Sequence, residues 1–432
     1  MADVRPFRGL RYNPRRVSIS KVVTQPYDKI SREMQDRYYA LDPHNIVRVI
    51  LGKSLESDSA ENNVYTRAAA TLREWRSSSV IESMSYPSFL ACSQRFTIPG
   101  TNEQRVRTGF IGLGRLEDYS RKIVYPHERT LAGPKQDRLQ LLRHTRAHFE
   151  QIFMLYEDPE QRVDSILDAA VARAPDIEVT DEYGVTHTLW ILEDQRVLDE
   201  VQKGMDGRKL IIADGHHRYE TALAYRDEQR TQGLRATDAH EWLPMTFFNI
   251  RSPALTVLPT HRVVQRLPNF SSERFFEEAS AFFDIETAPA NAEMFAAALA
   301  DAGRRRLTIG VATDRATRRA LLHLKKVDLS PFMEGLSEKQ RALDVAVLHK
   351  LVIERCLGVT EEAVRQESNI SYVREFNVAV KAVAGGAQAA FLLNPVRLDQ
   401  MRDIVFEGNI MPQKSTDFYP KVLSGMVLYA LD

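Results

Sequence analysis

Residues 209–223 read KLIIADGHHRYETAL. Lys209 to Ala213 is a short, mostly apolar run with the length of a strand. Asp214-Gly215 is a turn signal. From Tyr219 onward, good helix formers carry apolar residues at helical spacing, which predicts a strand, a turn and a helix in succession. Asp214, His216, His217 and Arg218 fall between strand and helix, with Glu220 just inside the helix. Two acids, two imidazoles and a guanidinium thus lie within seven residues. They sit where a helix N-terminus offers N–H groups to an anion. This stretch is the first candidate for an active centre.

The surrounding composition is that of an ordinary globular protein. The chain has 432 residues, 44% hydrophobic and 27% charged. That length predicts two or three domains. Lys+Arg and Asp+Glu both number 58, so overall charge gives no support for nucleic-acid binding, while a local basic patch stays open. Only Cys92 and Cys356 are present. With no signal peptide, two thiols point to the cytoplasm. No apolar run is long enough to span a bilayer, so a membrane is not expected as a partner.

Outward from the motif, further charged residues fall in connections. Gln25-Pro26-Tyr27-Asp28 is a proline turn that can either present Tyr27 and Asp28 to a pocket or let Asp28 cap a helix starting near Ser31. NIVRVIL at 45–51 is predicted as a strand with Arg48 in its middle. Val64–Ser77 is an amphipathic helix with Val64, Ala68, Leu72 and Trp75 inward. Strands are predicted at 87–97 and 105–116 around a hairpin at Pro99–Asn102. Gly109, Gly112 and Gly114 form no dinucleotide fingerprint and suit a closely approached strand.

At 126–143 the chain reads PHERTLAGPKQDRLQLLR. Pro126 ends a strand, and a helix follows Gly133-Pro134. His127 and Glu128 adjoin Arg129, Lys135, Arg138 and Arg143, a set suited to a polyanion. A strand QIFMLY follows at 151–156, and HTLWIL at 187–192 is another. After the motif helix, WLPMTFFN at 242–249 is a buried strand, and His261-Arg262 lies in the next connection. Residues 269–365 read as a smaller α+β module after a main domain over 1–268, and 366–432 as a segment returning to that domain. Asp344 and His349 are expected at the surface or at a cap. The tail carries MPQKSTDFYPK at 411–421. Lys414, Ser415 and Thr416 can hold a phosphate through charge and hydroxyl donors, although the upstream glycines of a Walker A motif are missing.

If the connections at 126–143, 214–220, 259–262 and 412–421 converge, the pocket suits a small anionic, phosphate-bearing ligand. Zinc fits poorly, because adjacent His216 and His217 are badly spaced for one ion. A covalent serine hydrolase lacks its nucleophile elbow.

The chain resembles the bacterial and archaeal family of unknown function numbered 1015. The resemblance rests on PFRGLRYNP (6–14), QPYDKIS (25–31), NIVRVIL (45–51), PHERTLAGPKQDRLQLLR (126–143), IADGHHRYETAL (212–223), LPTHRVV (258–264) and MPQKSTDFYPKVLSG (411–425). The Asp214–Arg218 core also resembles the motif of the superfamily containing the partition-protein nucleotide-binding fold, sulfiredoxin and the free serine kinases. This implies an α+β fold with a mixed-sheet core, elaborated by additional α/β segments. It implies that His216, His217 and Arg218 hold nucleotide phosphates and that Asp214 anchors the turn or a metal, with Asp28 or Glu128 as the base. From the chemistry of the residues themselves, Asp214 and Glu220 supply the acids and His216 or His217 a base or a phosphate ligand, so these four join the catalytic set. His127, Arg129, Lys135, Arg138, His261, Arg262, Lys414, Ser415 and Thr416 join the phosphate-binding set. The function so implied is a kinase-like phosphotransferase using Mg2+ and ATP, ADP or CTP on a small hydroxylated metabolite such as serine. A nucleotide-binding regulator without transfer and a phosphohydrolase are the alternatives, and a homodimer is compatible with all three.

Overall fold

The computed structural model describes residues 2–128, 133–235 and 238–432. Its chain forms two compact units. The first comprises residues 1–126, 130–256 and 420–432, and the second 127–129 and 257–419. The expected boundaries at 268 and 365 both fall inside the second unit.

The first unit is built on a nine-stranded sheet. In chain order its strands are β1 (Val4–Arg5), β2 (Phe89–Thr97), β3 (Gln104–Arg115), β4 (Val124–Pro126), β5 (Ile152–Tyr156), β6 (Ile177–Thr180), β7 (Thr186–Leu192), β8 (Leu210–Asp214) and β9 (Trp242–Asn249). They lie side by side as β4-β8-β5-β9-β3-β2-β7-β6, with β1 alongside β3. The pairs β4/β8 and β5/β9 are parallel and the rest antiparallel. The α+β class with a mixed sheet is therefore the one observed. Gly109, Gly112 and Gly114 leave room in β3 for Phe247, Phe89 and Met245, which a Cβ would strike. The hairpin between β2 and β3 closes through Ile98 N to Glu103 O at 2.9 Å.

The helices of this unit include α1 (Val64–Ser77), α2 (Gly133–Thr145), α3 (Arg162–Val171), α4 (Gln195–Met205) and α5 (His216–Thr231). Val163 and Leu167 of α3, Leu198, Val201 and Met205 of α4, and Tyr219 and Ala222 of α5 share one core with the sheet. A second core gathers Ala68, Leu72 and Trp75 of α1 with Ile46, Leu141 and Leu428. Asn63 caps α1 through Tyr65 N and Thr66 N, and Thr66 returns the bond.

Residues 45–51 correct the sequence expectation. Val47–Ile50 is one helical turn, not a strand. Asn45 Oδ1 accepts from Val47 N at 3.0 Å and starts the turn, which buries Ile46, Val47, Val49 and Ile50 together. A local cap and tertiary burial override the β preference of branched residues. Arg48 lies over the Tyr39 ring at 4.4 Å and donates to Tyr39 O, so it is a packing residue.

The second unit carries a six-stranded sheet of β10 (His261–Val264), β11 (Phe283–Thr287), β12 (Thr308–Thr313), β13 (Arg318–Leu324), β14 (Ile370–Val373) and β15 (Ala389–Leu392). Their order is β11-β13-β12-β15-β10-β14, antiparallel throughout. Two helices, α6 (Ala292–Arg305) and α7 (Phe376–Ala384), lay Phe295, Leu299, Ala379 and Val383 on it. No helix of the described residues is long and apolar enough to cross a membrane.

Candidate functional site

The expected site residues form two groups, one in each unit. In the first unit, β8 ends at Asp214 and α5 begins at His216. The helix therefore starts three residues earlier than its apolar spacing suggests. Gly215 alone joins the two elements, at a φ of +94°, and its carbonyl accepts the first helical bond from Tyr219 N at 3.0 Å. His216, His217 and Arg218 all occupy the first turn of a sixteen-residue helix, at its positive end.

Asp214 is held between two cations. Lys421 Nζ donates to Oδ1 at 2.7 Å, and Arg218 Nη2 to Oδ2 at 3.0 Å. Burial works against ionisation of Asp214, but the Lys421 ammonium and the Arg218 guanidinium outweigh it and hold the carboxyl well below the usual carboxylate range. Arg218 Nη1 also donates to Gln151 O at 2.6 Å. Burial opposes its charge, while Glu150, Asp214 and Asp28 overcome that and raise its pKa. Glu150 is itself buried, accepting from Tyr27 N at 3.0 Å and Ser424 Oγ at 2.8 Å. Asp28 is exposed on the short turn Tyr27–Lys29.

Lys135 and Glu220, both expected site residues, pair with each other. Arg138 and Arg143 bond residues outside the expected set. Arg138 is buried, donates to Asp137 and to Ile50 O at 2.6 Å, and lies 4.1 Å from the Tyr27 ring centre. It reaches the group through the Tyr27 ring and lines one cavity with Glu150 and Arg218. Arg143 makes an exposed ion pair with Glu228 at 3.0 Å, a contact of little energetic weight.

Three features of this group escaped the sequence reading. Lys421 was visible as a loop lysine, but its partner lies 207 positions away. Glu150 directly precedes the QIFMLY strand. Arg107 alternates with apolar residues in β3, as a solvent-facing arginine would, yet it is fully buried between Phe153 and Phe248. It donates to Gln94 Oε1 at 3.2 Å and to Pro420 O at 2.7 Å. Gln94 Nε2 donates to Lys421 O at 2.8 Å and meets His187, which pairs with Asp181 at 3.0 Å. This buried chain fixes the backbone that carries Lys421.

The second group lies in the second unit. Glu128 accepts from Lys414 N at 3.1 Å, Ser415 N at 2.9 Å and Thr416 N at 3.2 Å. His127 is buried, with Nε2 2.6 Å from Thr416 Oγ1. Arg262 is fully buried and donates to Lys414 O at 3.0 Å and Gln413 O at 3.3 Å. Burial pushes its pKa down to about 10, so it stays charged at neutral pH. His349, expected at the surface or at a cap, instead faces Arg262 Nε at 3.3 Å, and burial pushes its pKa down to about 3. His261 is buried, with Nδ1 accepting from Leu393 N at 3.2 Å. The Lys414 side chain is exposed. Arg129 lies outside the described residues.

Both oxygens of Asp214 thus face side-chain cations. Among the described residues, no three His, Cys, Asp or Glu side chains gather as metal ligands.

No curated protein matches the chain. Among solved structures, one titled free serine kinase in complex with AMP is 12% identical, with 68% of this chain and 83% of that chain covered and a TM-score of 0.34. A conserved hypothetical protein from Pyrococcus furiosus is 11% identical, with 68% and 87% covered and a TM-score of 0.32. SbnI with C-terminal truncation from Staphylococcus aureus is 8% identical, with 73% and 85% covered and a TM-score of 0.33. The family model described as "Protein of unknown function (DUF1015)" matches residues 4–346, and the chain belongs to that family.

Proposed function

We propose that the protein is a nucleotide-dependent phosphotransferase whose phosphate site is the start of α5. The observation that carries this reading is the abrupt junction at Gly215, which puts His216, His217 and Arg218 together in the first helical turn. N–H groups at a helix start, with imidazole and guanidinium donors beside them, suit phosphoryl oxygens. Asp214 holds Arg218 and Lys421 in place as charged donors. The resemblance of DGHHR to the free serine kinase motif supports a nucleotide as donor and a small hydroxylated metabolite such as serine as acceptor.

The acceptor hydroxyl oxygen would attack the terminal phosphorus as the bond to the nucleotide's leaving oxygen breaks. A carboxylate takes the hydroxyl proton. Of Asp28 and Glu128, Asp28 suits the base better, since it is exposed and near Arg218, whereas Glu128 is engaged by three backbone N–H groups. Asp214, already bound to two cations, does not fit as a protein ligand for Mg2+.

The test combines calorimetry with ATP, ADP and CTP and a transfer assay with free serine. Phosphoserine formation, with nucleotide affinity lost in the H216A/H217A double variant, is the expected outcome. Binding without chemistry would replace this reading with a nucleotide-responsive regulator. Phosphate release without acceptor would make the protein a phosphohydrolase. Absence of both nucleotide binding and turnover would sink the kinase and the regulator readings.

A further inference from the structure

The 412–416 turn of the second unit has the construction of an anion site. Its N–H groups at Lys414, Ser415 and Thr416 converge on one carboxylate, that of Glu128, at 2.9 to 3.2 Å. Thr416 Oγ1 lies 3.4 Å from the same Oε1, as does His127 Nε2. Lys414 makes the turn possible by taking a φ of +57°. On the carbonyl side, the buried Arg262 guanidinium draws Gln413 O and Lys414 O toward itself. The peptide dipoles are therefore aligned, with their positive ends on the Glu128 side. Successive N–H groups arranged in this way form a concavity for oxyanions.

The turn also has supports that do not involve the Glu128 carboxylate. Met411 N donates to His127 O at 2.9 Å, Ser415 Oγ donates to Pro412 O, and Arg262 holds the carbonyls. Removing the carboxylate leaves these in place. The Glu128 side chain is mostly covered but keeps 15% exposure, and the neighbouring Lys414 is exposed.

We propose that this turn is an oxyanion-binding site of the second unit. Glu128 occupies it as a built-in competitor, and the site takes the phosphate or carboxylate group of a small ligand when that side chain swings out. The carboxylate of Glu128 stands in for the ligand's anionic group. The inference is independent of the nucleotide site at α5.

The experiment uses the full-length protein and two probes, inorganic phosphate and acetate, titrated by calorimetry into wild type and E128A. Saturable one-to-one binding of either anion to E128A, about ten-fold or more tighter than to wild type, is expected from three freed N–H donors. Which probe binds separates a phosphate ligand from a carboxylate ligand. Adding T416V to E128A should weaken binding again, and adding H216A/H217A should leave it unchanged. A folded E128A with no affinity above wild type overturns the proposal. If E128A does not fold, E128S replaces it, since its short side chain also leaves the three N–H groups uncovered. E128S that binds no better than wild type, or that also fails to fold, makes Glu128 a purely structural clamp and likewise overturns the proposal.

Discussion

At Gly215, two constraints meet at one Cα. The φ of +94° disfavours any side chain, and an added Cβ would lie 3.0 Å from both Arg218 Nη2 and Ile152 Cδ1. Gly215→Ala is expected to destabilise the protein by roughly 1–3 kcal/mol through backbone strain, and to weaken nucleotide binding further by displacing Arg218. Urea melts and calorimetry on the same variant check the two effects. A neutral change in both would mean that the junction relaxes freely. Lys421 yields a second expectation, with a definite pH sign. The folded-state pKa of Asp214 is depressed, so the stability it contributes is present above its unfolded value, near ~4. That contribution is lost as pH falls from there toward the folded value. Lys421→Met should therefore cost about 2–4 kcal/mol at neutral pH by stripping a largely buried carboxylate of one partner. The gap to wild type should narrow in urea melts near pH 3. A gap that stays constant with pH would show that Lys421 acts through its packing alone.

Among the elements, those whose pattern is local were legible in the sequence. The β2–β3 hairpin, α1, β5 and β9 all follow from turn residues, helical spacing or short apolar runs. Two elements were not legible in full, each for a physical reason. NIVRVIL contains branched residues that suit a strand, but the Asn45 cap and the burial of four neighbours on one turn decide otherwise. His216, His217 and Arg218 add no apolar periodicity, so the true start of α5 was set by a backbone angle at Gly215 that spacing does not report. The site was legible as residue types but not as partnerships. Asp214 with Lys421, Glu128 with 414–416 and Arg107 with Pro420 are all contacts between distant segments. The Arg107 chain can be tested at this scale. Burial pushes its guanidinium down to about 9, still charged at neutral pH. Arg107→Met keeps much of the packing but leaves Pro420 O and Gln94 Oε1 without that donor, a loss of about 1–3 kcal/mol for each buried acceptor. Faster amide exchange over 420–424, with little change in β6, is expected. Unchanged protection there would show that Gln94 alone holds the segment.

For the molecule as a whole, chain order and compact units do not coincide. The chain leaves the second unit at Tyr419 and returns to the first for its last thirteen residues. Those residues do more than trail along the first unit. Lys421 pairs with Asp214, Ser424 donates to Glu150, and Gln151 Nε2 donates to Val427 O at 2.7 Å. Leu10 and Leu428 exchange backbone bonds at 2.8 and 2.9 Å, and Tyr429–Ala430 pairs with Ala147–His148. Leu423, Met426, Val427 and Leu428 are all buried. At about 2 kcal/mol for each such side chain, their apolar burial alone amounts to roughly 8 kcal/mol. That is comparable to the whole net stability of a typical domain, about 5–15 kcal/mol. A chain ending at Tyr419 should therefore lose cooperative folding of the first unit, including β8 and α5, because the missing segment outweighs the available margin. The second unit, whose residues 127–129 and 257–419 all remain, should keep its protected amides in β12, β13 and β15. Hydrogen exchange with peptide resolution reads both outcomes in one experiment. Full protection of β5 and β8 in the shortened chain would mean that the C-terminal segment only decorates a core stable without it. Loss of protection in both units together would mean that they unfold as one cooperative body.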